Sequence, residues 1–488
     1  MKNMISGSRI AAHWAGKDPL KPFVTDEFRT ITRGEFEMSS NRLARAYAGL
    51  GVKEGDMVTI ALPNGIEFFE ATFAAFKLGA TPQPISARLP KFERDAIIEI
   101  ANPSLVVGVE EGDIVGRAWL AAGFVPDASL SDKELPEITT KYWKAPTSGG
   151  STGRPKLIVA EQPAQFDPDT PALQMEVDRA ILMPGPLYHN APFAFSMSAL
   201  FRGNHVVITT RFDAMETLRL VETHKVDWLY LVPTMMQRIW RLPQEQRLAH
   251  DMSSLRVMLH LAAPCPAWLK EEWINWLGPE IIHELYAGTE AQGSTWITGT
   301  EWLEHRGSVG KPSPNCAMKI VGENGETLPP GEIGEVYMIP LAGQGVTYHY
   351  VGATPKADDE GWESIGDMGH MDEDGYLYLA DRQTDMILCG GANVYPAEVE
   401  GAIEAFEGIR SCAVIGLPDE DLGNRVHAII DTAGGKLDET ALLAHLSERL
   451  GRYKIPRSFE YVDEPLRSDA GKVRRKALRE DRLGEKSQ

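Results

Sequence analysis

Thr147-Ser-Gly-Gly-Ser-Thr-Gly-Arg-Pro-Lys156 is the stretch on which the reading of this chain turns. It packs three glycines, four hydroxyl side chains and two cations into ten residues. Gly149, Gly150 and Gly153 let the backbone take φ > 0 and come close to a bulky anion. Successive N–H groups in such a turn form an anion-binding nest. The hydroxyls of Thr147, Ser148, Ser151 and Thr152 and the ammonium of Lys156 add neutral and charged donors. A phosphate-gripping loop and an ordinary Gly/Ser-rich surface loop both fit this composition. A Walker loop does not, because G-x-x-x-x-G-K-[ST] would need glycine where Arg154 or Pro155 stands. Pro155 also has no N–H to offer a phosphate.

Around this stretch, 488 residues give room for two or three domains with large cores. A chain 43% hydrophobic and 24% charged belongs with globular rather than disordered proteins. No window is apolar for long enough to span a membrane. The N-terminus lacks the apolar core of an export signal. Cys265, Cys316, Cys389 and Cys412 have neither metal-ligand nor disulfide-framework spacing, so a reducing cytoplasm is the expected setting. A net charge of −20 argues against nucleic acid as a partner. Anionic substrates would then need local cations. Nine Lys/Arg against four Asp/Glu between positions 452 and 479 supply one basic segment, which a solvated face would also explain.

The first ~140 residues read as α/β, with helices expected over 40–50 and 66–78 and a buried strand over 58–62. Beyond the glycine-rich stretch, strands at 205–210, 228–232, 255–261 and 281–286 alternate with helices at 214–223, 234–240 and 268–277. That alternation implies parallel β-α-β layers. From about Ile320 the pattern becomes short strands with turns such as Asn324-Gly325 and Asp374-Gly375, the texture of a more antiparallel region. Past Asp381 a compact α+β segment begins, with strands at 412–415 and 426–430 and a helix over 439–450. The expected fold is therefore α/β: a large N-terminal domain of parallel layers plus a β-rich subdomain (1–382), and a small mobile α+β domain (383–488).

Three further constellations could carry chemistry. Tyr286-Ala-Gly-Thr-Glu290 follows an expected strand, and strand C-termini in an open parallel sheet face the ligand crevice. These residues could stack a base (Tyr286), admit it closely (Ala287, Gly288), bind phosphate (Thr289) and hold Mg²⁺ (Glu290); a plain turn is the alternative. Gly366-Asp367 could take both hydroxyls of a ribose, or be a surface turn. Lys472, in a charged turn, would ordinarily be solvated.

The order of the pieces is more specific than any one of them. From Gly51-Val-Lys-Glu-Gly-Asp56 to Gly471-Lys472 the chain resembles the acyl-adenylate-forming superfamily of acyl-CoA synthetases, adenylation domains and luciferase-like ligases. The matching pieces between are the 147–156 loop, Pro186-Leu-Tyr-His189, Ala262-Ala-Pro264, Tyr286–Glu290 and Gly366-Asp367. Tyr376-Leu-Tyr-Leu-Ala-Asp-Arg382 and Gly390-Gly-Ala-Asn-Val-Tyr-Pro-Ala-Glu-Val-Glu400 complete them. The resemblance implies that a carboxylate attacks the α-phosphate of ATP, and that a thiol, usually that of CoA, then displaces AMP. It implies that the loop grips the β- and γ-phosphates, that Ala263-Pro264 and Tyr286 sandwich adenine, and that Asp367 with Arg382 holds the ribose. Thr289 would meet phosphate oxygens, Glu290 would hold Mg²⁺, His189 would gate the acyl pocket, and Lys472 would reach the carboxylate and α-phosphate. In the second step the small domain would rotate just after Arg382, withdrawing Lys472 and presenting Gly390-Gly391 to the pantetheine arm.

Three positions depart from the family pattern: the extra Gly150, Thr384 where the hinge is commonly Asp or Lys, and Ile365 before Gly366-Asp367. None removes a charge from the chemistry. The 189–201 segment, Met235-Met236 and 286–296 are the expected pocket lining, with a plain helix or strand packed closely in the core as the alternative for 189–201. They carry no Lys or Arg, which points to a bulky or long-chain mono-acid with an apolar body. The extended glycine loop is also similar to that of ligases for steroid or bile-acid-type acids, with fatty and aryl acids open. A CoA-independent adenylating enzyme serving a carrier protein, and a non-catalytic acyl or nucleotide sensor, are the rival readings. A homodimer is compatible with the sequence but not specified by it.

Overall fold

A computed structural model describes residues 3–149, 155–382, 384–435, 437–467 and 471–484. Its centre is a nine-stranded sheet in which Pro22–Thr25, His205–Ile208, Ala180–Met183, Trp228–Leu231, Val257–His260 and Ile282–Ala287 run parallel. Antiparallel strands Ser294–Thr298, Lys311–Pro312 and Thr30–Thr32 close the two edges. The parallel strands are almost wholly buried, as expected where helices cover both faces. Helices Asn190–Phe201, Ala214–His224, Pro233–Trp240 and Ala267–Leu277 form the crossovers. Trp228, Trp273, Phe193, Phe195 and Met197 join one continuous core with them.

A second parallel sheet, ordered Thr81–Pro84, Met57–Ile60, Leu105–Val107 and Ala118–Leu120, packs with helix Ile66–Lys77, whose phenylalanines enter the same core. The helix expected over 40–50 is longer, Arg33–Gly49. Its start is fixed by a capping box in which Thr32 and Glu35 satisfy each other's backbone N–H groups. From Cys316 onward, strands Cys316–Val321, Gly334–Pro340, Asp367–Met371 and Leu377–Arg382 pair antiparallel, as the turn-rich sequence implied.

The chain end forms a small α+β lobe: Ser411–Asp419 and Gly423–Asp431 pair antiparallel, Ser458–Val462 adds in parallel, and helices Pro396–Glu404 and Glu439–Ser447 pack against them. It has its own core, built from Val399, Ile403, Cys412, Val414, Ile430 and Leu442 among others. Among the described residues, no helix is long and apolar enough to cross a membrane.

Candidate active site

The two ends of the glycine-rich stretch are strands that pair with each other. Strand Thr147–Gly149 pairs antiparallel with Pro155–Ala160, setting Ser148 opposite Lys156. Gly150, Ser151, Thr152 and Gly153, all expected phosphate contacts, lie outside the described residues. The stem is tied to the second parallel sheet: Gln83 Nε2 donates to Thr147 Oγ1 (2.9 Å), and Thr59 Oγ1 donates to Gln83 Oε1 (2.6 Å). On its other edge Pro155–Ala160 pairs with Tyr348–Val351.

This three-stranded sheet faces the Tyr286–Glu290 turn. Lys156 Nζ stands 3.8 Å from Glu290 Oε1 and 3.7 Å from the centroid of the Tyr350 ring. Tyr350 Oη donates to the same carboxylate oxygen at 2.5 Å. Glu290 is buried, so its charge is compensated by a cation and a fixed donor rather than by water. The tyrosine hydroxyl is pushed well above its ordinary pKa by burial and by the neighbouring Glu290 charge.

Two parallel strands deliver the neighbouring loops. Val257–His260 and Ile282–Ala287 are adjacent in register, His260 beside Glu284, so Ala262-Ala-Pro264 and Tyr286–Glu290 leave the sheet at the same end. Both loops contain an alanine in the left-handed region, Ala262 at φ 73° and Ala291 at φ 56°. For a residue with a Cβ this conformation is disfavoured, and such strain clusters at functional loops. Ala263 is half-buried, whereas Ala287 and Pro264 are exposed. At Gly288 a Cβ would sit 3.0 Å from Glu290 Oε2 and 3.2 Å from Ile365 Cδ1, so a side chain there would press on both. Thr289 is half-buried beside it.

Tyr286 Oη donates to Asp367 Oδ2 at 2.7 Å, bringing the expected base-stacking and ribose-binding residues together across two sheets. Asp367 is in turn paired in the strand ladder with Arg382. Gly366, at φ 86°, makes the turn that aims Asp367.

On the other side of the crevice, His189 precedes helix Asn190–Phe201, and its ring lies 4.4 Å from that of Tyr188. Burial, reinforced by the charge of Lys472, pulls its pKa down to about 4, so the imidazole is neutral at physiological pH. Lys472 has therefore come into electrostatic reach of His189 from the opposite lobe. The preceding Gly471 rests on helix Pro233–Trp240: a Cβ there would lie 3.2 Å from Thr234 Oγ1. Arg241, at the end of that helix, donates from Nη1 to the Arg410 carbonyl at 2.5 Å and from Nη2 to that of Ile409.

Gly390 and Gly391 are not part of this cluster. They form the two-residue turn of the hairpin Ile387–Cys389/Ala392–Val394, both at positive φ (57° and 80°). Gly390 N–H donates to the Leu422 carbonyl at 2.9 Å within the small lobe. Met235 and Met236 are packed in the main core. A cavity of about 450 Å³ lined by Arg29, Tyr47, Glu67, Glu70 and Phe124, among others, shares no residue with the crevice.

Sequence reasoning missed two side chains here. Tyr350 has no local pattern and becomes visible only when its strand pairs with Pro155–Ala160. Lys144, three residues before the hairpin, is buried and donates from Nζ to Asn190 Oδ1 at the foot of helix Asn190–Phe201. Its signal, a lysine in Tyr142-Trp-Lys-Ala145 just ahead of the loop, was readable but ambiguous.

The sequence matches the family model described as "AMP-binding enzyme" over residues 11–351 and that of the AMP-binding enzyme C-terminal domain over 398–472. The chain belongs to the AMP-binding enzyme family, within the acyl-adenylate-forming superfamily. A feruloyl-CoA synthase from an Amycolatopsis species is 32% identical over 460 residues, 91% of this chain and 92% of that one. A long-chain-fatty-acid–CoA ligase from Mycobacterium tuberculosis is 29% identical over 472 residues, covering 92% and 93%. Among solved structures, o-succinylbenzoate coenzyme A synthetase from Bacillus subtilis in complex with ATP and a magnesium ion aligns with a TM-score of 0.80 at 25% identity, over 96% of this chain and 99% of that one.

The donor set of this AMP-binding enzyme suits Mg²⁺. Among the described residues no group of three or more His, Cys, Asp or Glu forms a metal cage. Mg²⁺ characteristically keeps several waters and takes one or two carboxylates plus substrate phosphates. A single buried carboxylate at Glu290, beside the phosphate hairpin, meets that requirement.

Proposed function

We propose that this AMP-binding enzyme is an ATP-dependent carboxylic acid–CoA ligase that works through an acyl-adenylate. The geometry that supports the reading is the buried Glu290 carboxylate, which has Lys156 Nζ 3.8 Å away and the Tyr350 hydroxyl on it at 2.5 Å, next to Tyr286 hydrogen-bonded to Asp367 at 2.7 Å. In the first step a carboxylate oxygen of the acid attacks the α-phosphorus of ATP. The bond to the bridging oxygen breaks and pyrophosphate leaves. Two anions must meet, so the cost lies in charge, and positioned donors and cations lower it. Lys472 would neutralise the carboxylate and α-phosphate oxygens.

The 147–153 segment with Lys156 would hold the β- and γ-phosphates. Tyr286 with Ala263-Pro264 would hold adenine against Ala287 and Gly288, and Asp367 with Arg382 the ribose. Thr289 would donate to a phosphate oxygen, and Glu290 would hold Mg²⁺. Bound there, the ion would offset charge on the phosphates.

In the second step a CoA thiolate attacks the acyl carbon and the C–O bond to AMP breaks. We place the hinge for this step at the junction of the 1–382 and 383–488 domains, with rotation bringing the Gly390-Gly391 turn to the pantetheine arm. The acid would have an apolar body, since helix Asn190–Phe201 carries Phe193, Phe195 and Met197 and neither Lys nor Arg. Cys265, Cys316, Cys389 and Cys412 are unpaired, which suits a cytoplasmic enzyme.

Two half-reactions test the proposal. Acid-dependent pyrophosphate release, followed by CoA-dependent AMP release, is expected for a member of a panel of fatty, aryl and steroid acids. Lys472→Ala should lower adenylate formation at least a hundredfold while leaving most of the thioester step from preformed adenylate. AMP release driven by a carrier protein and not by CoA would favour the rival acceptor, and equal survival of both half-reactions would overturn the role given to Lys472.

A further inference from the structure

Lys144 is only 6% exposed, yet among the described residues it forms no ion pair. Among the described residues its Nζ donates to the neutral amide oxygen of Asn190 alone, and it lies 4.8 Å from the centroid of the Trp143 ring. Trp143 in turn stacks on Phe193 of helix Asn190–Phe201 (6.1 Å, 28°). The lysine carbonyl accepts from the N–H of Ala160 at 3.0 Å, which ties this irregular segment to the end of strand Pro155–Ala160. Burial drives its pKa down to about 7, with the Glu290 carboxylate pulling the other way. A buried ammonium with three donors and one neutral acceptor is poorly compensated by the protein alone.

The position of this lysine decides what could compensate it. Asn190 directly follows the gate His189, so Nζ sits at the foot of the helix that the acyl group would lie against. Lys472 already serves the reacting carboxylate, and Lys156 lies with Glu290 on the phosphate side.

We propose that Lys144, oriented by Asn190, is a specificity-determining residue that binds a second oxygen group of the acid (a keto, hydroxyl or carboxylate oxygen) at a distance from the carboxylate that is activated. The preferred substrate class is then an acid with an apolar body and one further oxygen function. This revises the apolar mono-acid expected from the sequence, since the further oxygen function can itself be a carboxylate, and rests on the ligase reading above.

The test is acid-dependent pyrophosphate release measured on matched acids that differ only in that oxygen function, with wild-type enzyme, Lys144→Met, Lys144→Arg and Asn190→Leu. Wild type should prefer an oxygenated member by at least about tenfold in kcat/KM, chiefly through KM for the acid. In Lys144→Met and Asn190→Leu the ratio should fall toward one with KM for ATP unchanged, and Lys144→Arg should recover part of it. Wild-type enzyme that activates acids without regard to the oxygen function would overturn the proposal, whatever the variants do. A rise in KM for ATP with acid preference intact would also overturn it, assigning Lys144 to the triphosphate. Absence of pyrophosphate release with every acid would instead defeat the ligase reading.

Discussion

His189 shows how much of the chemistry is set by surroundings rather than by residue type. In the fold its pKa falls from 6.5 to about 4, through burial first and the charge of Lys472 second. The unfolded chain therefore binds more protons than the folded one between those values, and this residue's contribution to stability rises with pH across that window. Two outcomes follow. Adenylate formation should show no inflection from His189 between pH 5.5 and 8, so His189→Phe should change the level of the pH–rate profile but not its shape. In urea titrations, wild type should lose stability relative to His189→Phe as pH drops from 6.5 to 4, on the order of 2 kcal/mol. An inflection near 6.5 that vanishes in the variant would mean that the imidazole is solvated and titrates in the working range. At this scale Tyr286, Glu290, Asp367 and Lys472 were singled out through the short motifs that carry the family resemblance, and their roles are proposals. Tyr350 and the partnership of Lys144 with Asn190 were not, since each depends on a contact between segments distant in sequence.

At the scale of elements, the parallel strands and crossover helices could be read to within a few residues because their apolar runs are bounded by glycine and proline. Helix Arg33–Gly49 was read about two turns short, since Glu35, Glu37, Ser39 and Ser40 interrupt its apolar stripe. Thr32-Arg-Gly-Glu35 carried the capping signal that would have placed its start. The glycine-rich stretch was read as a loop, but its flanks Thr147–Gly149 and Pro155–Ala160 are paired strands, and the second also pairs with Tyr348–Val351 almost two hundred residues downstream. One helix also links the lobes. Arg241, closing Pro233–Trp240, reaches the carbonyls of Ile409 and Arg410. Hydrogen bonds from a charged donor contribute about 1.5–3 kcal/mol. Arg241→Ala should therefore slow adenylate formation about tenfold, because the arrangement that brings Lys472 to His189 loses population. The thioester step from preformed adenylate should change less. Equal slowing of both half-reactions would show that these contacts do not favour one arrangement over another.

Over the whole molecule, the small lobe acts as one body because a buried charge network braces it. Glu400 accepts from Arg475 at 2.8 Å and from Arg467 at 3.0 Å, Arg467 also meets Glu404 at 3.1 Å, and Arg475 reaches Asp385 near the expected hinge at 2.9 Å. The turn carrying Lys472 lies between Arg467 and Arg475, so this bracing positions it. Although burial opposes ionisation, Arg475 and Arg467 hold the Glu400 carboxyl below its ordinary range. Its contribution to stability is thus present above the ordinary glutamate pKa and is lost as pH falls through the depressed value. Removing one partner of such a buried set leaves uncompensated charge, so Glu400→Ala should destabilise the small lobe by about 3–5 kcal/mol in urea unfolding. An unchanged midpoint would mean that the arginines find other partners. The two-lobed plan was legible from the change in sequence texture near Asp381, but the bracing network was not, since nothing in the spacing of Asp385, Glu400, Arg467 and Arg475 announces their convergence.

The central claim is that one crevice, assembled from the hairpin stem, two strand-end loops and a lysine of the other lobe, holds ATP ready for attack by a carboxylate. A crystal structure with ATP and Mg²⁺ bound tests it most directly. Adenine should lie against Tyr286, the ribose hydroxyls on Asp367, the triphosphate between Ser151, Thr152 and Lys156, and the metal on Glu290. A triphosphate bound away from Ser151 and Thr152, with Asp367 free of the ribose, would contradict the account.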